Sequence, residues 1–202
     1  MAIRSKVNSQ QQKVGKHRIE FLRESLRNLR STGSVSPSSR FLCRAVANKI
    51  DPVKAQIVVE LGPGDGAITR FILNRLSLNA RLVIFEINPV FVEKIRSTFD
   101  DPRMTIVHDS AENMGQHFRA LGISEVDYFI SGIPFVMLPE SLTESITRAC
   151  QKWLGEGGKF IQFHYSPLLL RLYRRVFGNL SVEVVALNFP PALVVSCEKH
   201  TL

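Results

Sequence analysis

Along this chain, short blocks rich in β-branched and other apolar residues alternate with stretches in which apolar positions recur every three or four residues. The blocks fall at 56–61, 81–86, 104–108, 126–131 and 159–165, and their length and composition predict strands. Helical spacing fills the intervals at 66–76, 89–99, 111–121 and 139–153. Two last blocks, 181–188 and 193–198, are separated only by Phe189-Pro190-Pro191-Ala192. That connection is too short for a crossover helix and predicts an antiparallel hairpin at one edge of the sheet. The alternation as a whole predicts an α/β domain over 34–202, a seven-stranded doubly wound sheet ending in that hairpin.

Residues 1–33 carry a different pattern. Val14, Ile19, Leu22, Leu26 and Leu29 lie close to one helical stripe with Phe21 at its edge, while Lys16, Arg18, Arg23, Arg27 and Arg30 fill most of the remaining surface. A basic amphipathic helix of this kind has three uses. It can pack its stripe on the domain, lie in a membrane interface with its arginines among anionic head groups, or grip RNA phosphates. At a membrane each cation contributes about 1 kcal/mol, and each fully buried leucine roughly 1.5 to 3 kcal/mol. Those magnitudes suffice for a reversible anchor without lipidation. Ser36 followed by Pro37 predicts the N-cap and first position of a short helix running to about Ile50.

Charge reinforces the division. The net charge is +8, and residues 1–40 hold nine Lys/Arg against two Glu, whereas the rest of the chain is nearly balanced. No apolar run approaches the roughly 18 to 20 residues needed to cross a bilayer, and residues 1–12 lack the apolar core of a secretion signal. The expected location is therefore the cytoplasm. Cys43, Cys150 and Cys197 are far apart and form no Cys-x-x-Cys pair, so they are expected to be reduced and buried. The histidines are scattered, and no metal site is expected.

The candidate chemistry begins in Val58-Val59-Glu60-Leu61-Gly62-Pro63-Gly64-Asp65-Gly66. A phosphate loop would end in Gly-Lys-Ser/Thr, but Ala67 and Ile68 follow Gly66. A dinucleotide fingerprint is formally met by Gly62, Gly64 and Ala67 with Glu86 downstream. However, Glu60 and Asp65 would set carboxylates against a pyrophosphate. S-adenosylmethionine reverses that demand, since it carries a sulfonium and an ammonium and no phosphate. The glycines let the backbone approach it closely.

The run Glu60 to Gly66 resembles the first motif of class I S-adenosylmethionine-dependent methyltransferases, which have a Rossmann-like sheet. The resemblance implies cofactor contacts from Glu60, Gly62, Gly64 and Gly66. It also implies that Glu86, with Ile87 beside it, takes the ribose hydroxyls, and that Asp109, Ser110 and Ala111 flank the adenine. Asp109 also suits a helix cap.

The loop after the fourth strand, Ser131-Gly132-Ile133-Pro134-Phe135, is where an acceptor is expected, because ligands in such sheets bind at the carboxyl ends of the strands. Adenine amino methyltransferases carry Asn or Asp where Gly132 stands, so Gly132 departs from them. Asn188 to Pro191 lie far along the chain and read as a turn or pocket rim.

Taken together, the segments SPSSRF, VELGPGDG, SGIPF, GGKFIQFHY and NFPPALV, over about 34–199, resemble the bacterial phosphatidylethanolamine N-methyltransferases. Those enzymes are related to ribosomal RNA adenine dimethylases. The resemblance implies successive methylation of phosphatidylethanolamine toward phosphatidylcholine by a cytoplasmic protein held peripherally at the inner face of the membrane, with the basic helix as its anchor. Ser131 and Gly132 then belong to the transfer site, Ser131 also to the cofactor site, and Ile133, Pro134 and Phe135 face the lipid. Tyr165 and His164, at the end of the fifth strand, are candidates to handle the amine proton. Side chains alternate across a strand, so at most one of the two faces the ligand, and Tyr165 is favoured. Arg171, Arg174 and Arg175 either hold the lipid phosphate or form a solvated helix face. The alternative reading is an RNA adenine N6-methyltransferase whose basic tail holds phosphates. A cofactor-binding protein without catalysis is a third.

Overall fold

The computed structural model describes residues 38–200. The amphipathic stretch with Lys16, Arg18, Leu22, Arg23, Leu26, Arg27 and Arg30, and the Ser36-Pro37 helix start, lie outside the described residues.

The elements run α1 (Arg40–Ala47), β1 (Ile57–Leu61), α2 (Ala67–Arg75), β2 (Arg81–Phe85), α3 (Pro89–Thr98), β3 (Met104–Val107), α4 (Met114–Ala120), β4 (Val126–Ser131), α5 (Glu140–Trp153), β5 (Leu154–His164), α6 (Leu170–Phe177), β6 (Ser181–Val185) and β7 (Ala192–Glu198). The seven strands form one sheet in the order β3-β2-β1-β4-β5-β7-β6. β1 to β5 pair in parallel, and β7 runs antiparallel to both β5 and β6. The strand order reverses between β1 and β4, the place where such sheets open a crevice for ligands.

Alternation along the strands builds a core on each face. Val58, Leu82, Ile130, Ile161 and Val194 pack with Leu42, Val46, Ile68 and Ile72 of α1 and α2. On the other face Phe118 of α4 meets Phe85, Phe129 and Trp153 at ring-centroid distances of 5.8, 6.2 and 5.2 Å. Further along that face, Phe160 stacks on Phe177 of α6 at 5.3 Å. Cys43, Cys150 and Cys197 are free and buried, as their sequence context suggests.

Several boundaries differ from the sequence expectation. α1 begins at Arg40 because the Ser39 hydroxyl accepts from Leu42 N, making Ser39 the cap. β5 begins at Leu154, directly after α5, where Leu154 pairs with Val126; Lys159 then pairs with Tyr128, so the glycine-rich stretch between bulges out of register. β6 ends at Val185, and a turn with a cis Phe189-Pro190 bond leads into β7. The expected helix at 111–121 divides into a 3-10 turn at Ala111–Asn113 and α4.

Candidate functional site

The carboxyl end of β1 turns through Gly62, Gly64 and Gly66, all with positive φ, the backbone region that favours glycine. A Cβ on Gly62 would lie 3.1 Å from Ile133 Cγ1, and one on Gly66 2.6 Å from Phe99 Cε2, whereas one on Gly64 would meet nothing within 4 Å among the described residues. The turn is thus closed beneath and open above Gly64. Asp65 is exposed, and its carboxylate accepts from Ala67 N at 3.2 Å at the start of α2.

Two buried carboxylates flank this turn. Glu60 is buried, and one of its oxygens accepts from the Thr69 hydroxyl of α2 at 2.7 Å. Burial pushes its pKa up to about 8 against the pull of the Thr69 bond, with the nearby charge of Glu86 adding to the rise. Glu86, just past β2, is also buried; it accepts from Asn88 N at 2.8 Å and from Gly64 N at 3.4 Å. Burial raises its pKa, and backbone hydrogen bonds from Asn88, Gly64 and Ile87 oppose that rise. Among the described residues no ion pair neutralises Glu60 or Glu86. Two buried carboxylates beside an open glycine turn suit a ligand that brings positive charge and hydroxyl donors. They oppose one that brings phosphates.

After β3, Asp109 accepts from Ser110 N at 2.7 Å and Asn113 Nδ2 at 2.8 Å with one oxygen, and from His117 Nε2 at 2.7 Å and Gln116 Nε2 at 3.3 Å with the other. Burial alone would raise its pKa; the bonds from His117, Asn113 and Ser110 outweigh it and hold the carboxyl below the usual range. The cap of the 3-10 turn is Ser110, whose hydroxyl accepts from Glu112 N at 3.3 Å. Asp109 therefore spends its carboxylate on α4 and on fixing the backbone at Ser110.

The loop after β4 is sewn to the glycine turn. Gly132 N donates to Leu61 O at 2.8 Å, and a Cβ on Gly132 would lie 2.5 Å from Gly62 O. Ser131 is buried, and its hydroxyl accepts from Ile133 N at 3.3 Å. Ile133 and Pro134 are half-buried at this junction. Phe135 corrects the expectation of a substrate wall: it is enclosed in the core, and its carbonyl accepts from Thr143 of α5 at 3.1 Å. Sequence reasoning also missed Gln162, on β5 opposite Ser131. Its Nε2 donates to Ile133 O at 3.1 Å and Phe163 O at 3.0 Å, while its buried Oε1 has no partner among the described residues.

At the end of β5, Tyr165 and His164 face opposite ways, as alternation requires. His164 is buried, stacked on Tyr173 of α6 and hydrogen-bonded to its hydroxyl at 2.7 Å. Burial pulls its pKa down to about 4. That pairing removes His164 from the proton-handling candidates. Tyr165 is exposed and packs edge-on against Phe163 at 6.2 Å; burial raises its pKa, and the Asn188 side chain opposes that rise. Asn188 is more than a turn residue: its Oδ1 accepts from Ser39 N at 3.1 Å and its Nδ2 donates to Pro190 O at 2.7 Å. It joins the β6–β7 turn to the start of α1. Arg171, Arg174 and Arg175 are exposed on α6, and Arg175 pairs with Glu144 at 3.3 Å. Among the described residues no cluster of three His, Cys, Asp or Glu is arranged to hold a metal.

Comparison with known proteins bears on this arrangement. The ornithine lipid N-methyltransferase of Singulisphaera acidiphila is 30% identical over 179 residues, 88% of this chain and 93% of that protein. A family model described as ribosomal RNA adenine dimethylase matches residues 35–115. The ribosomal RNA small subunit methyltransferase A of Mycoplasma mycoides is 28% identical over 109 residues, 52% of this chain but 39% of that protein. Among solved structures, the O-methyltransferase from Bacillus cereus in complex with SAH superposes with a TM-score of 0.64 at 14% identity, over 89% of this chain and 91% of that one. The spermidine synthase from Thermotoga maritima gives 0.59 at 21% identity over 78% of this chain and 56% of that one. At these identities the structural likenesses speak to the fold, the class I methyltransferase fold with its antiparallel terminal hairpin.

Proposed function

Because the chain belongs to the family of the ornithine lipid N-methyltransferase of Singulisphaera acidiphila, we propose that it methylates the amine of a membrane lipid, taking phosphatidylethanolamine and its methylated intermediates toward phosphatidylcholine. The protein is an S-adenosylmethionine-dependent methyltransferase. The cofactor supplies a methyl group on a cationic sulfur, activated for direct displacement by a nitrogen lone pair. The open turn over Gly64 and the carboxylates of Glu60 and Glu86 fit that group. Glu86 takes the ribose hydroxyls, the Ser110-Ala111 backbone borders the adenine, and Glu60 balances positive charge from beneath the turn.

The observation that carries the choice of acceptor is the contact between Gly132 and Gly62. The position from which adenine-modifying enzymes extend an Asn or Asp is here pressed to 2.5 Å from a backbone oxygen, with no room for any side chain. An exocyclic amine conjugated to an adenine ring needs such an acceptor. An aliphatic amine has its own lone pair once neutral and needs only to lose its proton and be positioned. With a pKa of roughly 10, about one such amine in a thousand is neutral at pH 7. Desolvation at the loop junction lowers that pKa. Tyr165 lies at the end of the strand next to this loop, offering a hydroxyl to the head group and a ring face to the growing methylammonium.

RNA adenine methylation is the second reading, favoured by the dimethylase family model. That match spans residues 35–115, the cofactor half, and stops before β4, where the acceptor is chosen. The basic tail suits either substrate; with a lipid acceptor it serves as the anchor of a cytoplasmic protein at the inner membrane face. The test is a comparison of kcat/KM on phosphatidylethanolamine, its monomethyl form, ornithine lipid and unmodified ribosomal RNA, each offered alone with labelled cofactor. Phosphatidylethanolamine and its monomethyl form are expected to be the better acceptors. A preference for RNA would overturn the reading, and a preference for ornithine lipid would move it to the relative's substrate.

A further inference from the structure

Four segments leave the sheet at its carboxyl end around the β4–β5 junction: the loop after β4, the loop after β5, the β6–β7 turn and the start of α1. Their common location follows from the pairing. Ser131 pairs with Gln162 and His164 with Leu193, while Ser39 N bonds to Asn188 in the turn. Each segment exposes large apolar side chains. Phe189 and Leu187 on the turn are 87% and 69% exposed, and Leu168 after β5 is 76% exposed. Met137 after β4, Tyr165 after β5 and Phe41 in the first turn of α1 are also exposed. Among the described residues, the apolar ones exposed at the amino end of the sheet, such as Val53 and Leu78, are scattered.

Folding to water gives no reason to gather six such side chains on four separate segments at one end of the sheet. Cations border them. Arg40 lies over the Phe41 ring at 5.0 Å, and Arg171 is exposed in the first turn of α6 at the same end. Apolar tips with arginines at their border match a bilayer surface, with acyl chains below and anionic head groups at the rim.

We propose that this rim is a second membrane contact, which dips the carboxyl end of the sheet into the lipid surface so that a head-group amine enters beside Gly132 without leaving the bilayer. The inference rests on the reading of a lipid amine as acceptor and adds to it the face that meets the membrane. The amphipathic tail then tethers the protein, and the rim sets its orientation. Tyr165 belongs to both rim and site, which puts the acceptor position at head-group depth.

The test uses the full chain with one reporter tryptophan at a time, Leu168→Trp or Leu187→Trp, and Leu78→Trp as the control at the far end; the native Trp153 provides the background. Vesicles of phosphatidylethanolamine and phosphatidylglycerol with brominated acyl chains serve as probe and quencher. The rim tryptophans are expected to shift to shorter wavelength and lose at least half their added emission, with Leu78→Trp unchanged. Leu168→Glu and Leu187→Glu are expected to lower vesicle partitioning at least tenfold while cofactor affinity stays as in the parent. Unquenched rim reporters on protein that sediments with vesicles would overturn the proposal. So would reporters already blue-shifted without lipid and released by deleting residues 1–30, which would make the tail the occupant, or reporters that answer to RNA and not to vesicles. Methylation of phosphatidylethanolamine in detergent micelles is measured in parallel. Quenched reporters without lipid methylation leave the rim standing and sink the acceptor reading, whereas lipid methylation with unquenched reporters does the reverse.

Discussion

Thr69 donates its hydroxyl across 2.7 Å to Glu60, the main hydrogen bond holding a buried carboxyl whose pKa burial has driven up to about 8. An acid raised in the folded state from an ordinary value near 4.5 favours the fold while protonated and loses that contribution as pH rises through 8. Wild-type protein is therefore expected to lose stability relative to Glu60→Gln between pH 5 and pH 9, read as the divergence of their urea midpoints.

The same carboxyl couples cofactor binding to a proton. At pH 7 Glu60 is mostly protonated, and a cationic ligand beside it favours ionisation. Titration calorimetry in two buffers of different ionisation enthalpy is expected to show proton release on binding S-adenosylmethionine. In Glu60→Gln the release should disappear.

His164 and Tyr173 form a structural pair with the opposite pH signature. A histidine lowered from 6.5 to about 4 supports the fold fully above pH 6.5 and loses that support as pH falls toward 4. Between pH 8 and pH 5 the wild type is expected to lose about 2 kcal/mol that the His164→Phe/Tyr173→Phe double variant keeps, measured by urea unfolding. The double variant is also expected to retain methyl transfer at pH 8, since neither group touches the acceptor.

Gly132 and Gly64 are expected to respond differently to alanine. Gly132→Ala forces Gly62 O away from a 2.5 Å contact and is expected to weaken cofactor binding tenfold or more, about 1.4 kcal/mol. Gly64→Ala meets open space among the described residues but keeps a φ of +59, so it costs stability, roughly 1 to 2 kcal/mol, besides placing a methyl where the cofactor is proposed to lie. Melting curves with cofactor dissociation constants separate the two.

Gln162 is expected to matter to turnover more than to cofactor affinity. Gln162→Leu leaves Ile133 O without its side-chain donor, at a stability cost of about 1 to 3 kcal/mol. The freed loop after β4 then lowers kcat about tenfold with an unchanged cofactor dissociation constant.

Deleting residues 1–30 is expected to abolish sedimentation with anionic vesicles and leave cofactor binding near normal. Undiminished sedimentation would remove the tail from membrane attachment.

Much of this was legible because the signals are local. The β-branched blocks at 57–61, 81–85 and 126–131 are buried strands whose period and length announce them. Glu60 and Glu86 stand at strand ends next to glycines, where a charge needs a reason. What escaped depends on partners distant in sequence. Phe135 looks like a free aromatic in a loop until Thr143 and the α5 core enclose it. His164 looks poised for proton transfer until Tyr173 on α6 claims it. Asn188 is an ordinary turn residue until it accepts from Ser39 N, 149 positions away. β5 starts ahead of the apolar block at 159–165, since Leu154 already pairs with Val126 on the far side of Gly155, Gly157 and Gly158.

The most direct measurement places phosphatidylethanolamine vesicles and unmodified ribosomal RNA in one tube with the full chain and methyl-labelled S-adenosylmethionine, then separates lipid from nucleic acid. Label in the lipid phase, in successively methylated phosphatidylethanolamine, is the predicted result. Label in the RNA, with the lipid left unmodified, would contradict it.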